Sequence, residues 1–273
     1  MRAALAVAVT AAIAVAIAGS VRESAPADEI GRSQTPEERA KHLARGRAMF
    51  LSARGRTLFA DPSLSAGGAH ACATCHPDKG HTDNKTYVGL AVVDDGDPRG
   101  RNTPSLWGAG SRAAFLWAGT APSLAASIRE IIVERMGGAE PSGETVEALA
   151  VYVASLRYPR NPLLARDGTP TDEAPAAARR GFALFMGKAG CHTCHVPPAY
   201  DRKEPADVGS GGTFKVPSLR VASLTAPYYH DGRYATLDKA VRAMATYARK
   251  AGLAAGDLTA DEIRDLVAFL RVL

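Results

Sequence analysis

The sequence predicts an all-α protein made of two small domains in tandem, related by internal duplication. The pattern C-x-x-C-H occurs twice, as CATCH at 72–76 and as CHTCH at 191–195. Each copy lies in a longer pattern that is repeated in the other half of the chain. Apolar residues recur at helical spacing near the end of each half, and no segment shows the convincing alternation of a strand.

The repeated pattern extends well beyond the two C-x-x-C-H motifs. TPSL at 103–106 matches VPSL at 216–219, and the offset of 113 residues then continues without a gap. At this offset WAG at 117–119 falls on HDG at 230–232. Self-similarity at a fixed offset is typical of a duplicated structural unit.

Helix signals set the domain boundaries. Thr35 precedes Pro and two Glu, the usual start of a helix, and 172–175, Thr236 and 259–262 carry similar signals. The predicted organisation is a signal peptide at 1–18, a flexible segment at 19–34, a first domain at 35–157, a linker at 158–171 and a second domain at 172–273. The closing helix of each half has its apolar residues at helical spacing: Val146, Leu149, Val153 and Leu156 in the first, and Ile263, Leu266, Leu270 and Leu273 in the second.

The composition and the N-terminus indicate an exported protein. The chain has 273 residues, a net charge of +5 and no dense run of Lys and Arg, so nucleic-acid binding has little support. A positive start, an uncharged run at 3–18 and an A-x-A site at 16–18 predict a cleaved signal peptide. We therefore expect a periplasmic protein that does not enter the membrane after cleavage.

Both C-x-x-C-H motifs predict covalent attachment of haem c. In this motif the thiols add to the haem vinyl groups and the adjacent His supplies an iron ligand. The predicted attachment residues are Cys72, Cys75 and His76 for the first haem, and Cys191, Cys194 and His195 for the second. A four-cysteine zinc site would place its pairs about 15–20 residues apart, whereas 115 residues separate Cys75 from Cys191. Disulfides would leave the repeated His unexplained. The two predicted domains are therefore cytochrome c-like.

The sixth iron ligand distinguishes the two predicted haems. Met244 lies on a predicted helix far downstream of its C-x-x-C-H motif, within reach of the distal face. Its counterpart in the first half is Ile131, which cannot bind iron. Met at this position gives an electron-transfer haem of raised potential, whereas an open position allows chemistry on a small molecule. Core packing is the alternative role for Met244, and His81 or His42 remains an alternative ligand for the first haem.

The order of these motifs resembles that of the bacterial dihaem cytochrome c peroxidases and their MauG-like relatives. The resemblance covers residues 45–273. It rests on six blocks around the C-x-x-C-H motifs: GRTLF at 55–59, DPSLS at 61–65, RNTPSL at 101–106, FLWAG at 115–119, FKVPSLR at 214–220 and LTAPYYHDG at 224–232.

This resemblance implies roles for particular residues. Met244 matches the axial ligand of the high-potential haem, and Trp117 matches an electron relay between the haems. Asn102, Thr225 and Pro227 match the ligands of a calcium ion, Asn102 through its side chain and the others through backbone carbonyls.

The chain departs from the family pattern near the first haem. The stretch 89–94 lacks the His that caps the resting haem in some members, which predicts an open first haem. Ser127 stands where the family has a distal Gln. The distal Glu, which moves protons when peroxide is cleaved, is best matched by Glu134 and next by Glu130.

The sequence therefore predicts a periplasmic peroxidase that reduces hydrogen peroxide with electrons from a small redox protein, either a cytochrome c or a cupredoxin. The sequence leaves open whether the protein forms a homodimer. One alternative is a MauG-like oxidase that modifies a partner protein, although MauG carries Tyr where this chain has Met244. The other is a dihaem electron carrier without catalysis. A carboxylate above the first haem would favour the enzyme, and a closed apolar face would favour the carrier.

Overall fold

A computed structural model describes residues 35–87 and 100–273. The chain divides into two compact units, Met1–Ala44 and Arg45–Leu273, and both C-x-x-C-H motifs lie in the second. Within the described residues no helix is both long and apolar enough to cross a bilayer. The predicted signal peptide, the segment 19–34 and the stretch 89–94 lie outside the described residues.

The described chain is mostly helical. It also contains two short antiparallel pairs of strands. The helices are α1 (Pro36–Phe59), α2 (Cys72–Cys75), α3 (Pro77–Gly80), α4 (Leu124–Glu130), which continues as a π-helix (Ile131–Arg135), α5 (Gly143–Ser155), α6 (Ala176–Met186), α7 (Leu237–Lys250) and α8 (Ala260–Val272); the strands are β1 (Thr86–Tyr87), β2 (Arg101–Asn102), β3 (Arg202–Asp207) and β4 (Thr213–Val216).

The helix-rich fold is confirmed, but the expectation that strands are absent is wrong. β3 pairs with β4 through Arg202 opposite Val216 and Asp207 opposite Thr213, with an irregularity between 202 and 206. Strand β3 is mostly exposed and polar. Because neither of its faces is apolar, it carries none of the alternation by which a half-buried strand is recognised.

The helix starts predicted at Thr35, Thr236 and 259–262 form with side-chain caps, whereas α6 begins after Pro175 without one. The Thr35 hydroxyl accepts a hydrogen bond from the Glu38 N–H at 3.2 Å, and the Glu38 carboxylate accepts one from the Thr35 N–H at 2.8 Å. Thr259 and Glu262 form the same reciprocal pair at the start of α8. Thr236 caps α7 through the Lys239 N–H. These side chains satisfy N–H groups that lack a partner within the helix.

Two hydrophobic cores lie in the unit Arg45–Leu273. The first contains Phe59, Ile132 and Leu149, and the second contains Phe185 and Phe269 among its buried residues. The stretch 158–171, predicted as a linker, packs against the second core through its two adjacent leucines, Leu163 and Leu164. Its backbone is also held there, since the Gly168 carbonyl accepts a hydrogen bond from the buried Tyr200 hydroxyl at 2.7 Å, and the Asn161 amide donates to the Val272 carbonyl at 2.6 Å.

Local backbone conformations recur between the two halves at the offset found in the sequence. Leu116 and Tyr229 have φ angles of 61° and 72°, and Gly119 and Gly232 have φ angles of 71° and 70°. These left-handed conformations are uncommon for residues other than Gly. A short antiparallel bridge encloses each turn, Phe115 with Ala121 in the first half and Tyr228 with Tyr234 in the second.

Candidate functional site

The histidines of the two C-x-x-C-H motifs make the same kind of hydrogen bond. The His76 Nδ1 lies 3.0 Å from the His81 carbonyl oxygen, and the His195 Nδ1 lies 2.9 Å from the Tyr200 carbonyl oxygen. A carbonyl can only accept a hydrogen bond, so Nδ1 carries the proton in each ring. The Nε2 lone pair is then free for a metal, which is the arrangement usual for metal-binding histidines.

Both histidines are held in their neutral form. Burial lowers the pKa of His76 to about 4, with the Arg112 charge acting in the same direction and the bond to the His81 carbonyl opposing it. Burial likewise lowers the pKa of His195 to about 4. A neutral imidazole is the form that binds iron.

The cysteines of the two motifs lie in different parts of the fold. Cys72 packs against the first core and Cys191 packs against the second. The four thiols therefore do not converge on one zinc ion, and each motif has its own apolar surroundings. Two separate haem attachments fit this arrangement.

A cavity of about 320 Å³ lies beside the first motif. Its wall contains Cys72, Cys75 and His76, and most of the remaining wall is apolar, including Phe59, Phe115, Leu124, Ile128, Ile131, Ile132, Leu149 and Val153. In the described part of the chain, four buried polar side-chain atoms have no partner: His70 Nδ1, Asn102 Oδ1, Arg112 Nε and Arg135 Nε.

All four of those residues line the same cavity. A buried donor without a partner costs free energy, and the carboxylates of a bound group would satisfy a donor such as the Arg112 Nε–H. A flat apolar ring with two carboxylates, tethered to two cysteines and facing a neutral histidine, matches this wall. The residues present therefore fit a haem.

One wall of the cavity is formed by α4 and the π-helix that continues it. Ser127, Ile131 and Arg135 all line this wall, and the Ser127 hydroxyl donates to the Leu124 carbonyl at 2.8 Å. Ile131, the sequence counterpart of Met244, thus lies at the first cavity. Met244 itself is half-buried on α7, which packs against α8, and its role as an iron ligand stays a prediction.

Neither predicted catalytic glutamate lines the cavity. Glu134 is exposed and Glu130 is half-buried, and no Asp or Glu occurs among the described residues of the wall. The π-helix accounts for this. The Met136 N–H bonds the Ile131 carbonyl, five residues back, at 2.9 Å, so the turn holds one residue more than an α-helical turn. Arg135 and Met136 therefore face the cavity where Glu134 was expected.

Trp117 lies at the cavity wall and also contacts the second half of the chain. Its indole N–H donates to the Asn102 carbonyl at 2.7 Å, and its own carbonyl accepts a hydrogen bond from the Lys215 N–H at 2.9 Å. The Lys215 ammonium lies 5.9 Å from the ring centroid. Burial lowers the pKa of Lys215 to about 7, the Arg112 charge adds to this, and Asp201 opposes it.

Asn102 connects β2 to the turn at 224–232. Its backbone N–H donates to the His230 carbonyl at 2.8 Å. Its side-chain amide donates to the carbonyls of Pro227 and Tyr229, and its Oδ1 is buried without a partner. The structure thus brings Asn102 and Pro227 together, and Thr225 lies on the same turn, where its N–H bonds the Ala222 carbonyl.

The alternative distal histidines are placed elsewhere. The two ring nitrogens of His81 lie 3.0 Å from the Ser105 hydroxyl and 3.2 Å from the Leu224 carbonyl, and its ring stacks on Trp107. His42 lies on the exposed part of α1 within the unit Met1–Ala44.

Several residues of the cavity wall were not expected from the sequence. They are His70, Tyr87, Arg112, Arg135 and Lys215. Tyr87 donates its hydroxyl hydrogen bond to Asp83 at 2.5 Å. The helical spacing from Ser127 through Ile131 to Arg135 was a usable signal for Arg135, whereas the other four come from loops and strands without a periodic pattern.

Comparisons with known proteins all point to the same family. Residues 52–161 match a family model described as di-haem cytochrome c peroxidase. The chain is 32% identical to the methylamine utilization protein MauG of Methylorubrum extorquens, over 81% of this chain and 77% of that protein. It is 28% identical to the cytochrome c551 peroxidase of Nitrosomonas europaea, over 80% of this chain and 78% of that protein. A solved structure of a MauG-like protein associated with microbial copper homeostasis matches with a TM-score of 0.61 and 26% identity, covering 82% of this chain and 88% of that one.

Proposed function

Because the chain belongs to the family of di-haem cytochrome c peroxidases and MauG-like proteins, we propose that it is an exported peroxidase that reduces hydrogen peroxide to water. Membership makes it an oxidoreductase that acts on peroxide and carries two haems of the c type. Its electrons come from a small redox protein, a cytochrome c or a cupredoxin. Each peroxide takes up two electrons and two protons and yields two water molecules.

The cavity beside the first motif is the observation that carries this proposal. Its wall fits a haem, and it has Ile131 at the position that matches Met244. An isoleucine cannot close an iron coordination position. With Ile131 in its wall, the first motif would hold a haem open to peroxide, and the second motif with Met244 would hold a haem suited to storing an electron.

Each C-x-x-C-H motif has its own histidine to bind an iron, and Trp117 lies between the two halves of the chain. A haem at each motif supplies an iron that exchanges single electrons and, where a coordination position is open, accepts a small ligand. His76 and His195 would hold the two irons through Nε2, and a backbone carbonyl orients each ring through Nδ1. Trp117, in contact with both halves of the chain, lies where an electron relay is needed.

The recurring backbone conformations support two cytochrome c-like domains that arose by duplication, with boundaries at 35–157, 158–171 and 172–273. Each half has its own core and its own C-x-x-C-H motif. The stretch 158–171 packs on the second core and therefore forms part of the second half.

A calcium ion at Asn102 belongs to this proposal. The Asn102 amide faces two carbonyl oxygens, and a half-turn of that amide would bring its unpartnered Oδ1 to join them. An all-oxygen set of this kind suits calcium.

Calcium is expected to stabilise the holoprotein, and Asn102→Ala is expected to remove that effect. Calcium at one hundred times its dissociation constant should add about 2.7 kcal/mol to the free energy of unfolding. The measurement is denaturant unfolding after chelation, with and without added calcium. As a control, Asn161→Ala removes another amide and should leave the calcium effect intact. Equal calcium effects in wild type and Asn102→Ala would contradict the site.

A MauG-like oxidase that acts on a partner protein is the second candidate. It is favoured by the 32% identity to a MauG protein and by the lack of a carboxylate among the described wall residues of the cavity. Met244 stands against it. In this case peroxide would oxidise a residue of the partner, and no reduced redox protein would be consumed.

Spectroscopy followed by a peroxide titration tests the proposed function. We expect one high-spin and one low-spin haem by electron paramagnetic resonance, and two equivalents of reduced cytochrome c or cupredoxin oxidised for each peroxide. Two low-spin haems that do not react with peroxide would contradict it. Peroxide consumption without oxidation of the donor would favour the MauG-like reaction.

A further inference from the structure

The wall formed by α4 and the π-helix has one charged side chain among its described residues. Leu124, Ser127, Ile128 and Ile131 line the cavity at regular helical spacing. Arg135 lies four residues after Ile131 and also lines the cavity, whereas Glu134 in the wider turn is exposed. Turns of this kind occur frequently at functional sites.

The Arg135 side chain has unused hydrogen-bonding capacity inside the cavity. Its Nε is buried without a partner, and among the described residues it forms no ion pair. Burial lowers its pKa, and the nearby Glu130 charge opposes this. A guanidinium stays protonated even so. It is therefore a permanent cation among apolar neighbours, of which Ile132 and Met136 are the nearest in sequence.

Arg135 lies in a different part of the cavity wall from Arg112 and Lys215, and Glu130 is the charge that acts on it. The charged groups that act on His76 are Asp83, Arg112 and His81, and Arg112 also acts on Lys215. Arg112 and Lys215 thus form a group near His76 and Trp117 that can receive haem carboxylates. Arg135 instead lies one turn after Ile131. The wall on which it lies is the counterpart of α7, the helix that carries Met244 in the second half.

We propose that Arg135, rather than a glutamate, is the charged residue on the ligand-binding side of the first haem, where it donates hydrogen bonds to peroxide and to small anions. This inference rests on the proposed function, because it requires an open first haem. A guanidinium stabilises negative charge on a bound ligand but cannot take up its proton. The site should therefore prefer anionic ligands to neutral ones.

The preference can be measured without turnover, by optical titration of the holoprotein with fluoride in the ferric state and with carbon monoxide in the ferrous state. Arg135→Met is expected to weaken fluoride binding about ten- to a hundredfold, the loss of one charge-assisted hydrogen bond. Carbon monoxide affinity should change less than about twofold, since that ligand carries no charge for the guanidinium to stabilise. Arg135→Lys keeps the charge and should lose less fluoride affinity than Arg135→Met.

Arg129→Met is the matched control. Arg129 lies on the same helix but is exposed and pairs with Glu140 at 2.5 Å, so fluoride affinity should not change. Equal fluoride affinity in wild type and Arg135→Met would overturn the inference. An equal loss for both ligands would also overturn it, because it would mean that Arg135 holds the haem rather than its ligand.

A comparison with Glu134→Gln separates the two candidate residues. The inference requires that fluoride affinity falls more in Arg135→Met than in Glu134→Gln. The opposite order would overturn it. A failure of the proposed function can be distinguished from a failure of this inference. If the wild-type first haem bound neither fluoride nor peroxide, the open haem would be wrong and this inference with it. If the wild type bound fluoride and Arg135→Met bound it equally well, only this inference would fail.

Discussion

Met244→Ile is expected to convert the second haem from low-spin to high-spin and to lower its reduction potential. Axial ligands set haem potentials over a range of about 0.8 V, and methionine raises the potential. A drop of about 200 mV corresponds to more than a thousandfold in the equilibrium for accepting one electron, since 59 mV is tenfold. The donor would then fill the second haem poorly, and steady-state peroxide reduction should fall steeply.

A redox titration followed at the haem absorption bands measures this change. Met186→Ile is the matched control, because Met186 is 38% exposed at the end of α6 in the same half of the chain. It should leave both the potential and the spin state unaltered. A low-spin second haem of unchanged potential in Met244→Ile would show that Met244 is only a packing residue.

Gly181→Ala and Gly55→Ala are expected to destabilise the protein strongly. A methyl group at Gly181 would overlap the Asp265 carbonyl of α8, and one at Gly55 would overlap the Ala148 carbonyl of α5. Each helix pair would have to separate across a hydrophobic core. Overpacking of this kind costs about 1–3 kcal/mol, occasionally more. Denaturant unfolding of the holoprotein, followed by far-ultraviolet circular dichroism, measures the loss.

Gly46→Ala is the control within the same helix as Gly55. Nothing lies within 4 Å of the position where its methyl group would stand. Alanine is the better helix former by about 1 kcal/mol, so Gly46→Ala should leave stability unchanged or raise it. If Gly55→Ala and Gly46→Ala had the same effect on stability, α1 and α5 would not be in close contact at Gly55.

The features predicted from the sequence are those that depend on local chemistry. The threonine caps of α1, α7 and α8 form as expected, and Ile263, Leu266 and Leu270 are buried on α8 as their spacing predicted. A cap needs only a hydroxyl and an N–H three residues away, and an amphipathic face needs only a period of 3.6 residues. The recurring turns at Gly119 and Gly232 likewise follow from a motif of a few residues.

The distal carboxylate was not predictable from the sequence. The resemblance matched the distal Glu to Glu134, but Glu134 is exposed and does not line the cavity. The π-helix turns that carboxylate outward, while Arg135 lines the cavity at helical spacing from Ile131. No motif within residues 131–135 distinguishes a π-helix from an α-helix, so the exposure of Glu134 could not be predicted.

By itself the sequence determined the two attachment motifs, their histidines, the helix starts and the difference between Met244 and Ile131. Each of these is a matter of residue type and spacing along the chain. The tertiary structure decided which side chains meet at the cavity: Arg112, Lys215 and Trp117 come together from segments far apart, and Arg135 lines the wall whereas Glu134 does not. The physical reason is that a buried cation requires surroundings assembled from several segments, and these exist only when both halves are folded.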